Sequence, residues 1–191
     1  MKKTIILILI FALGITLAFL LTACAEKEDT QPTPVPECQH AYVENNICSD
    51  CGEVMSSEGL KYTLNPDGKS YTVTGRGSFT GNDLFVGLYN GLPVTSIGDL
   101  AFYFCESLTS VTIGNSVTSI GNWAFDYCYS LTSITIPDSV TSIGGSAFDH
   151  CYSLTSIKYR GTEEQWNDIW KGIDWDKNAG SYTITYNYEG E

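Results

Sequence analysis

From Val94 onward the apolar and polar positions of the chain recur every 23 residues. Val94, Val117 and Val140 form one column, Ile97, Ile120 and Ile143 a second, and Ala101, Ala124 and Ala147 a third. The columns continue with Phe102, Phe125 and Phe148, with Cys105, Cys128 and Cys151, and with Leu108, Leu131 and Leu154. Val111, Ile134 and Ile157, then Ile113, Ile136 and Tyr159, complete eight columns without one insertion. A period in this range marks a solenoid, because one coil cannot bury its own apolar side whereas stacked coils share a continuous core. Inside a coil, Leu131-Thr-Ser-Ile134-Thr-Ile136 has strand alternation. It predicts Ile134 and Ile136 inward and Ser133 and Thr135 outward on a concave face.

The pattern also predicts what closes each end. Across residues 60–91, Leu60, Tyr62 and Leu64 alternate with polar residues, Pro66-Asp67-Gly68 makes a turn, and Tyr71 and Val73 resume the alternation. A β-hairpin cap follows from that reading. The repeats proper span residues 92–160, as three copies of 23. In residues 161–191, Thr162-Glu-Glu-Gln165 is a capping box and predicts a helix. Trp166, Ile169, Trp170 and Ile173 then form an i, i+3, i+4, i+7 stripe suited to covering the open end. Tyr182, Ile184, Tyr186 and Tyr188 alternate with polar residues and predict a last strand.

The unit V-T-S-I-G-x-x-A-F-x-x-C-x-S-L-T-S-I-T-I-P resembles the BspA-type leucine-rich repeat of bacterial surface proteins, over about a third of the chain. The resemblance implies a leucine-rich-repeat solenoid, mostly β with short helical turns, stacked right-handedly between N- and C-terminal caps. It also implies an extracellular adhesion or interaction module with no catalysis.

The N-terminal part is patterned differently. Lys2 and Lys3 precede an uninterrupted apolar run from Ile5 to Leu21, which reads as an export signal over residues 1–23. Leu21-Thr-Ala-Cys24 resembles the bacterial lipobox, which implies cleavage before Cys24 and acylation of its thiol. Two acyl chains suffice for stable anchoring, so the expected location is the extracellular face of the bacterial cytoplasmic membrane. Residues 24–37 carry Pro32, Pro34 and Pro36 among charged and polar residues, and read as an extended tether.

Charge narrows the partners. The net charge is −12, and removal of residues 1–23 takes away two lysines and no acid. Such a surface repels phosphate backbones, which argues against nucleic acid. The expected partner is an extracellular protein or glycan. The concave sheet of a few coils offers only roughly 300 Å², well below the ~800 Å² per partner of stable complexes. Binding is therefore expected to be weak per copy and multivalent.

Five groups of residues carry candidate chemistry. In residues 38–55, Cys38, His40, Cys48 and Cys51 supply a complete tetrahedral zinc set, which would be structural because no position stays open. In an exported chain a disulfide with one free thiol is the alternative, and metal handling at the surface is the corresponding alternative function. Asp149-His150-Cys151 holds the ingredients of a thiol nucleophile, but its cysteine belongs to a core column and behaves there as a small hydrophobe. Asp126 and Asp149 share one repeat column and read as turn residues, so a cell-wall hydrolase has only scattered carboxylates behind it. Ser110, Thr112, Ser133, Thr135, Ser156 and Lys158 offer hydroxyls and one cation on the concave strands, where such residues also simply fit exposed β-structure. Trp123, Tyr129 and Tyr152 fall near the A-F-x-x-C turn, with Tyr129 and Tyr152 expected to stack, and interfaces favour such aromatics.

Overall fold

The computed structural model describes residues 54–190, together with the backbone of a small antiparallel pair, β1 (Tyr42–Val43) and β2 (Ile47–Cys48). Cys24, Cys38, His40 and Cys51 lie outside the described residues, and Cys48 enters only through its backbone opposite Tyr42. Expectations about lipidation and about the Cys/His segment therefore rest on sequence.

The hairpin predicted for residues 60–91 is present as β3 (Lys61–Leu64) antiparallel to β4 (Tyr71–Gly75). Its turn is held by Asp67, whose carboxylate accepts from the Lys69 and Ser70 backbone N–H groups at 2.8 and 3.1 Å. From β4 the solenoid begins. β5 (Asp83–Val86), β8 (Ser110–Ile113), β10 (Ser133–Ile136), β12 (Ser156–Tyr159) and β14 (Thr183–Thr185) pair in parallel as one five-stranded sheet. A second sheet runs from β4 through β7 (Leu92–Ile97), β9 (Ser119–Ile120) and β11 (Ser142–Ile143) to β13 (Trp170–Lys171), again in parallel. β6 (Leu88–Tyr89) pairs with β7 from outside that path. The stack thus has five rungs, two more than the three 23-residue repeats, because β5 and β14 come from the flanking segments and continue the same register.

All eight columns face the interior, with no member more than 6% exposed. Phe102, Phe125 and Phe148 stack through its centre at 5.3 Å between ring centres. Leu64 in the hairpin is 49% exposed where the alternation predicted it inward, and along the repeat strands one position departs. Thr135 on the middle rung is buried at 8% exposure, because Thr112 and Lys158 stand in register on either side of it.

The A-F-x-x-C turn is a third ladder. Leu100, Phe102 and Phe104 donate their N–H groups to the carbonyls of Asn122, Ala124 and Asp126 in the next coil, at 2.8–3.0 Å. Trp123, Phe125 and Tyr127 do the same to Gly145, Ala147 and Asp149. Irregular backbone can be buried here because every second amide has a partner one rung away.

The C-terminal cap departs from the predicted stripe. The capping box forms, with Thr162 Oγ accepting from Gln165 N and Gln165 Oε1 from Thr162 N, but helix α1 covers only Glu163–Asp168. Trp166 and Ile169 are buried as expected; Trp170 and Ile173 are 63% and 86% exposed. The reason is competition at the sheet edge. Trp170 N–H bonds Thr141 O and Gly172 N–H bonds Ile143 O, so pairing with the open edge of β11 ends the helix after two turns' worth of signal.

Candidate functional site

Two positions in every coil adopt left-handed backbone without being glycine. One column is Leu100, Trp123 and Ser146, at φ of 58°, 52° and 52°; the other is Phe104, Tyr127 and His150, at 57°, 60° and 56°. Such residues cost roughly 1–3 kcal/mol each and persist only where the surroundings hold them. Here the inter-coil hydrogen bonds of the turn hold them, and the kink lets Phe102 point inward while the residue two further on joins an outer row.

That outer row is an aromatic edge. Phe104 stacks on Tyr127 at 4.5 Å and 15°, and Tyr127 stacks on the His150 ring at 4.2 Å and 6°. Beside it Tyr129 stacks on Tyr152 at 5.7 Å and 10°, as their shared column predicted. Edge-on contacts of Tyr103 with Phe104 and Tyr127, and of Tyr129 with Tyr127, tie the rows together. Each such pair contributes about 0.5–1.5 kcal/mol, which offsets part of the backbone strain beneath it. Tyr103, Phe104 and Tyr152 remain 40%, 43% and 58% exposed, and Trp123 in the neighbouring column 46%.

The hydroxyls separate the two faces named from sequence. Among the described residues the Tyr103, Tyr127, Tyr129 and Tyr152 hydroxyls have no partner in the protein and none is buried. Packing against neighbouring rings, followed by the charge of Asp126, pushes the Tyr127 hydroxyl up. Packing, followed by Tyr152 and Glu106, does the same for Tyr129. Both therefore stay protonated at neutral pH, able to donate and accept. On the sheets the short hydroxyls are largely committed. Thr132 and Thr155 donate to the carbonyls of Thr109 and Thr132, Thr118 and Thr141 to those of Thr95 and Thr118, and Ser96 bonds Ser119 at 2.8 Å. Of the concave candidates, Ser110 donates to Asp83 at 2.5 Å, Thr135 is buried, and Lys158 reaches the Tyr188 hydroxyl at 3.3 Å and lies over its ring. Thr112, Ser133 and Ser156 are half-buried and uncommitted. A shallow cleft of about 650 Å³ lies at the first rung of this sheet, between Ser57, Glu58, Phe79, Asp83 and Phe85.

At one end of the aromatic edge sits a polar cluster whose two acids the sequence reading took for turn residues. Asp126 and Asp149 stack in their column and converge on His150 Nδ1, at 3.1 and 3.2 Å. Their donor atoms and that nitrogen lie within 4.8 Å of one another, a spacing that could hold a cation. The carboxylates are already engaged, however. Asp149 Oδ1 also accepts from the His150 backbone N–H at 2.9 Å and from Asn178 at 2.8 Å. Burial pushes the Asp126 carboxyl up, and the His150 hydrogen bond works against it. The signal was present in the spacing, because two acids 23 residues apart in a parallel stack must become neighbours.

The cysteines are packing groups. Cys128 Sγ donates to Phe102 O at 3.3 Å and Cys151 Sγ to Phe125 O at 3.2 Å, and all three column thiols are free. Burial pushes the Cys151 thiol up to about 12 and raises Cys105 and Cys128 as well. The unfolded thiol ionises near 9, so the folded state loses stability as pH rises from about 9 toward 12, and none of this loss is present below 9. With a colorimetric thiol reagent at pH 8, the three column thiols are expected to react only after denaturant is added. Rapid labelling of a folded sample at these positions, mapped by mass spectrometry, contradicts their packing role.

Residues 86–169 match the family described as BspA type leucine rich repeat region, in six copies. Among solved structures the chain is similar to the leucine-rich repeat protein of T. pallidum, at 26% identity over 67% of this chain and 70% of that one, with a TM-score of 0.55. A leucine-rich repeat protein from Bacteroides capillosus ATCC 29799 is 27% identical over 70% of this chain and 98% of that one, at 0.51. For one from Bacteroides ovatus ATCC 8483 the values are 26%, 69%, 37% and 0.51. No curated protein matches the chain.

Proposed function

Residues 86–169 are a BspA-type leucine-rich repeat region, and from that premise we propose that the chain is a non-enzymatic surface protein that binds an extracellular protein or glycan. The observation that carries this reading is the aromatic edge, where exposed rings continue across three coils and four tyrosine hydroxyls have no internal partner. Contiguous exposed aromatic surface marks interaction sites, and tyrosine is enriched where proteins meet partners. Acylation of Cys24 would hold many copies on one membrane, so that weak contacts add through avidity.

Retention of bacteria displaying the chain, on surfaces coated with matrix protein, cell-surface glycan or neighbouring bacteria, tests the proposal. Cells displaying the native chain are expected to be retained. Cys24→Ala should release the chain into the medium and lose retention, and Tyr129→Ala with Tyr152→Ala should lose it while the chain stays on the cell. Thr112→Val with Thr135→Val should leave retention intact. No retention on any surface, or loss confined to the threonine pair, overturns the reading.

A further inference from the structure

Residues 77–157 contain no lysine or arginine, although ten in the chain would place about four there at the average density. The same stretch holds six acids: Asp83, Asp99, Glu106, Asp126, Asp138 and Asp149. Among the described residues the cations lie before residue 77 or after residue 157, with Lys158 on the fourth rung and Arg160 reaching Asn115 at 2.7 Å. Arg76 lies beside Cys105 at one end, and Lys177 at the other is already paired with Asp174 at 3.0 Å. Residues 103–152, which carry the aromatic edge, include no lysine or arginine, although Asn178 bonds Asp149 and approaches His150.

The arrangement is specific. Glu106 occupies the column of Tyr129 and Tyr152, one rung before them, so an exposed carboxylate and two tyrosine hydroxyls follow one another along the stack. Asp126 and Asp149 lie behind Tyr127 and add to the negative potential there. The ring of the next rung covers one face each of Phe104, Tyr127 and Tyr129, so between rungs this row offers ring edges and hydroxyls. It suits a long cationic side chain, whose methylenes lie along ring edges while its N–H groups donate to hydroxyl and carboxylate.

We infer that the aromatic edge binds a lysine- or arginine-bearing segment of a partner protein, with Glu106, Tyr129 and Tyr152 as its contact row. This rests on the edge being the interaction surface. The test uses the full-length chain and fluorescein-labelled nonamers of arginine, of lysine and of alternating glycine and serine, read by anisotropy at physiological salt. The cationic nonamers should bind and the neutral one should not, with affinity falling as salt rises. Glu106→Gln, and separately Tyr129→Phe with Tyr152→Phe, should weaken binding about fivefold or more, while Asp138→Asn, an equal charge change near Tyr159 instead, should stay within about twofold. Equal losses in Glu106→Gln and Asp138→Asn would mean attraction to bulk charge and overturn the inference, as would binding of the neutral nonamer. If no nonamer binds while Tyr129→Ala with Tyr152→Ala still loses cell retention, the cationic partner is refuted and the edge stands. If the nonamers bind at Glu106 but no surface retains the cells, adhesion fails and the cationic site stands.

Discussion

Gly144→Ala is expected to destabilise the chain by about 3 kcal/mol or more and to lower its unfolding midpoint by roughly 6–12 °C. A Cβ at Gly144 falls 2.5 Å from Asn122 N and from Gly121 C, and 2.7 Å from Gly121 O. All three atoms are backbone of the preceding coil, so no side-chain rotation relieves the clash. The same crowding recurs at Gly121 and Gly172, where an added Cβ falls 2.6 Å from Asp99 N and 2.4 Å from Gly145 N of the preceding coil. Alanine there must push two rungs apart and break the flanking parallel pairing, including Gly144 N–H to Ile120 O at 2.8 Å. Gly68→Ala is the control. Its φ is +67° with nothing within 4 Å, so it should cost only the roughly 1 kcal/mol of a left-handed alanine. Thermal and denaturant unfolding followed by far-UV circular dichroism read both variants, and comparable losses would show that inter-coil approach does not limit the stack.

Phe125→Ala should cost about 3–5 kcal/mol by the same measurement. The ring is fully buried and stacked between Phe102 and Phe148, so its removal opens a cavity in the middle of the column with rigid ladders on every side. Collapse into that space would require the coils to shift, which the turn hydrogen bonds of Phe102, Phe125 and Phe148 resist. Phe104→Ala, which removes a 43% exposed ring and its contacts with Tyr103 and Tyr127, should cost less, about 1–2 kcal/mol. A loss below about 1.5 kcal/mol for Phe125→Ala would mean that the interior repacks freely.

Legibility differed between core and surface. The inward columns could be read because burial repeats one requirement in each coil: an apolar side chain of fixed size at a fixed place. Trp170 and Ile173 were misplaced because helical periodicity and the open edge of β11 made competing claims on the same residues, and only the paired edge shows which is satisfied. Ser110 and Thr135 looked equivalent to their repeat partners as letters. One is tied to Asp83 and the other is enclosed by its neighbours, facts that belong to position in the stack rather than to residue type. Asp126 and Asp149 had an interpretable spacing, but their convergence on His150 depended on the left-handed backbone at residue 150.

By itself the sequence determined that the chain stacks, with what period, and which side chains face inward, since a 23-residue repeat of apolar positions has one way to bury them all. It also determined that Cys105, Cys128 and Cys151 are core residues, and it carries the charge pattern that leaves residues 77–157 without a lysine or arginine. Only the tertiary structure decided which outer groups remain available. That depends on which hydroxyls bond across rungs, which rings cover one another, and where two left-handed residues per coil turn the chain, and those are relations between coils that no single coil encodes.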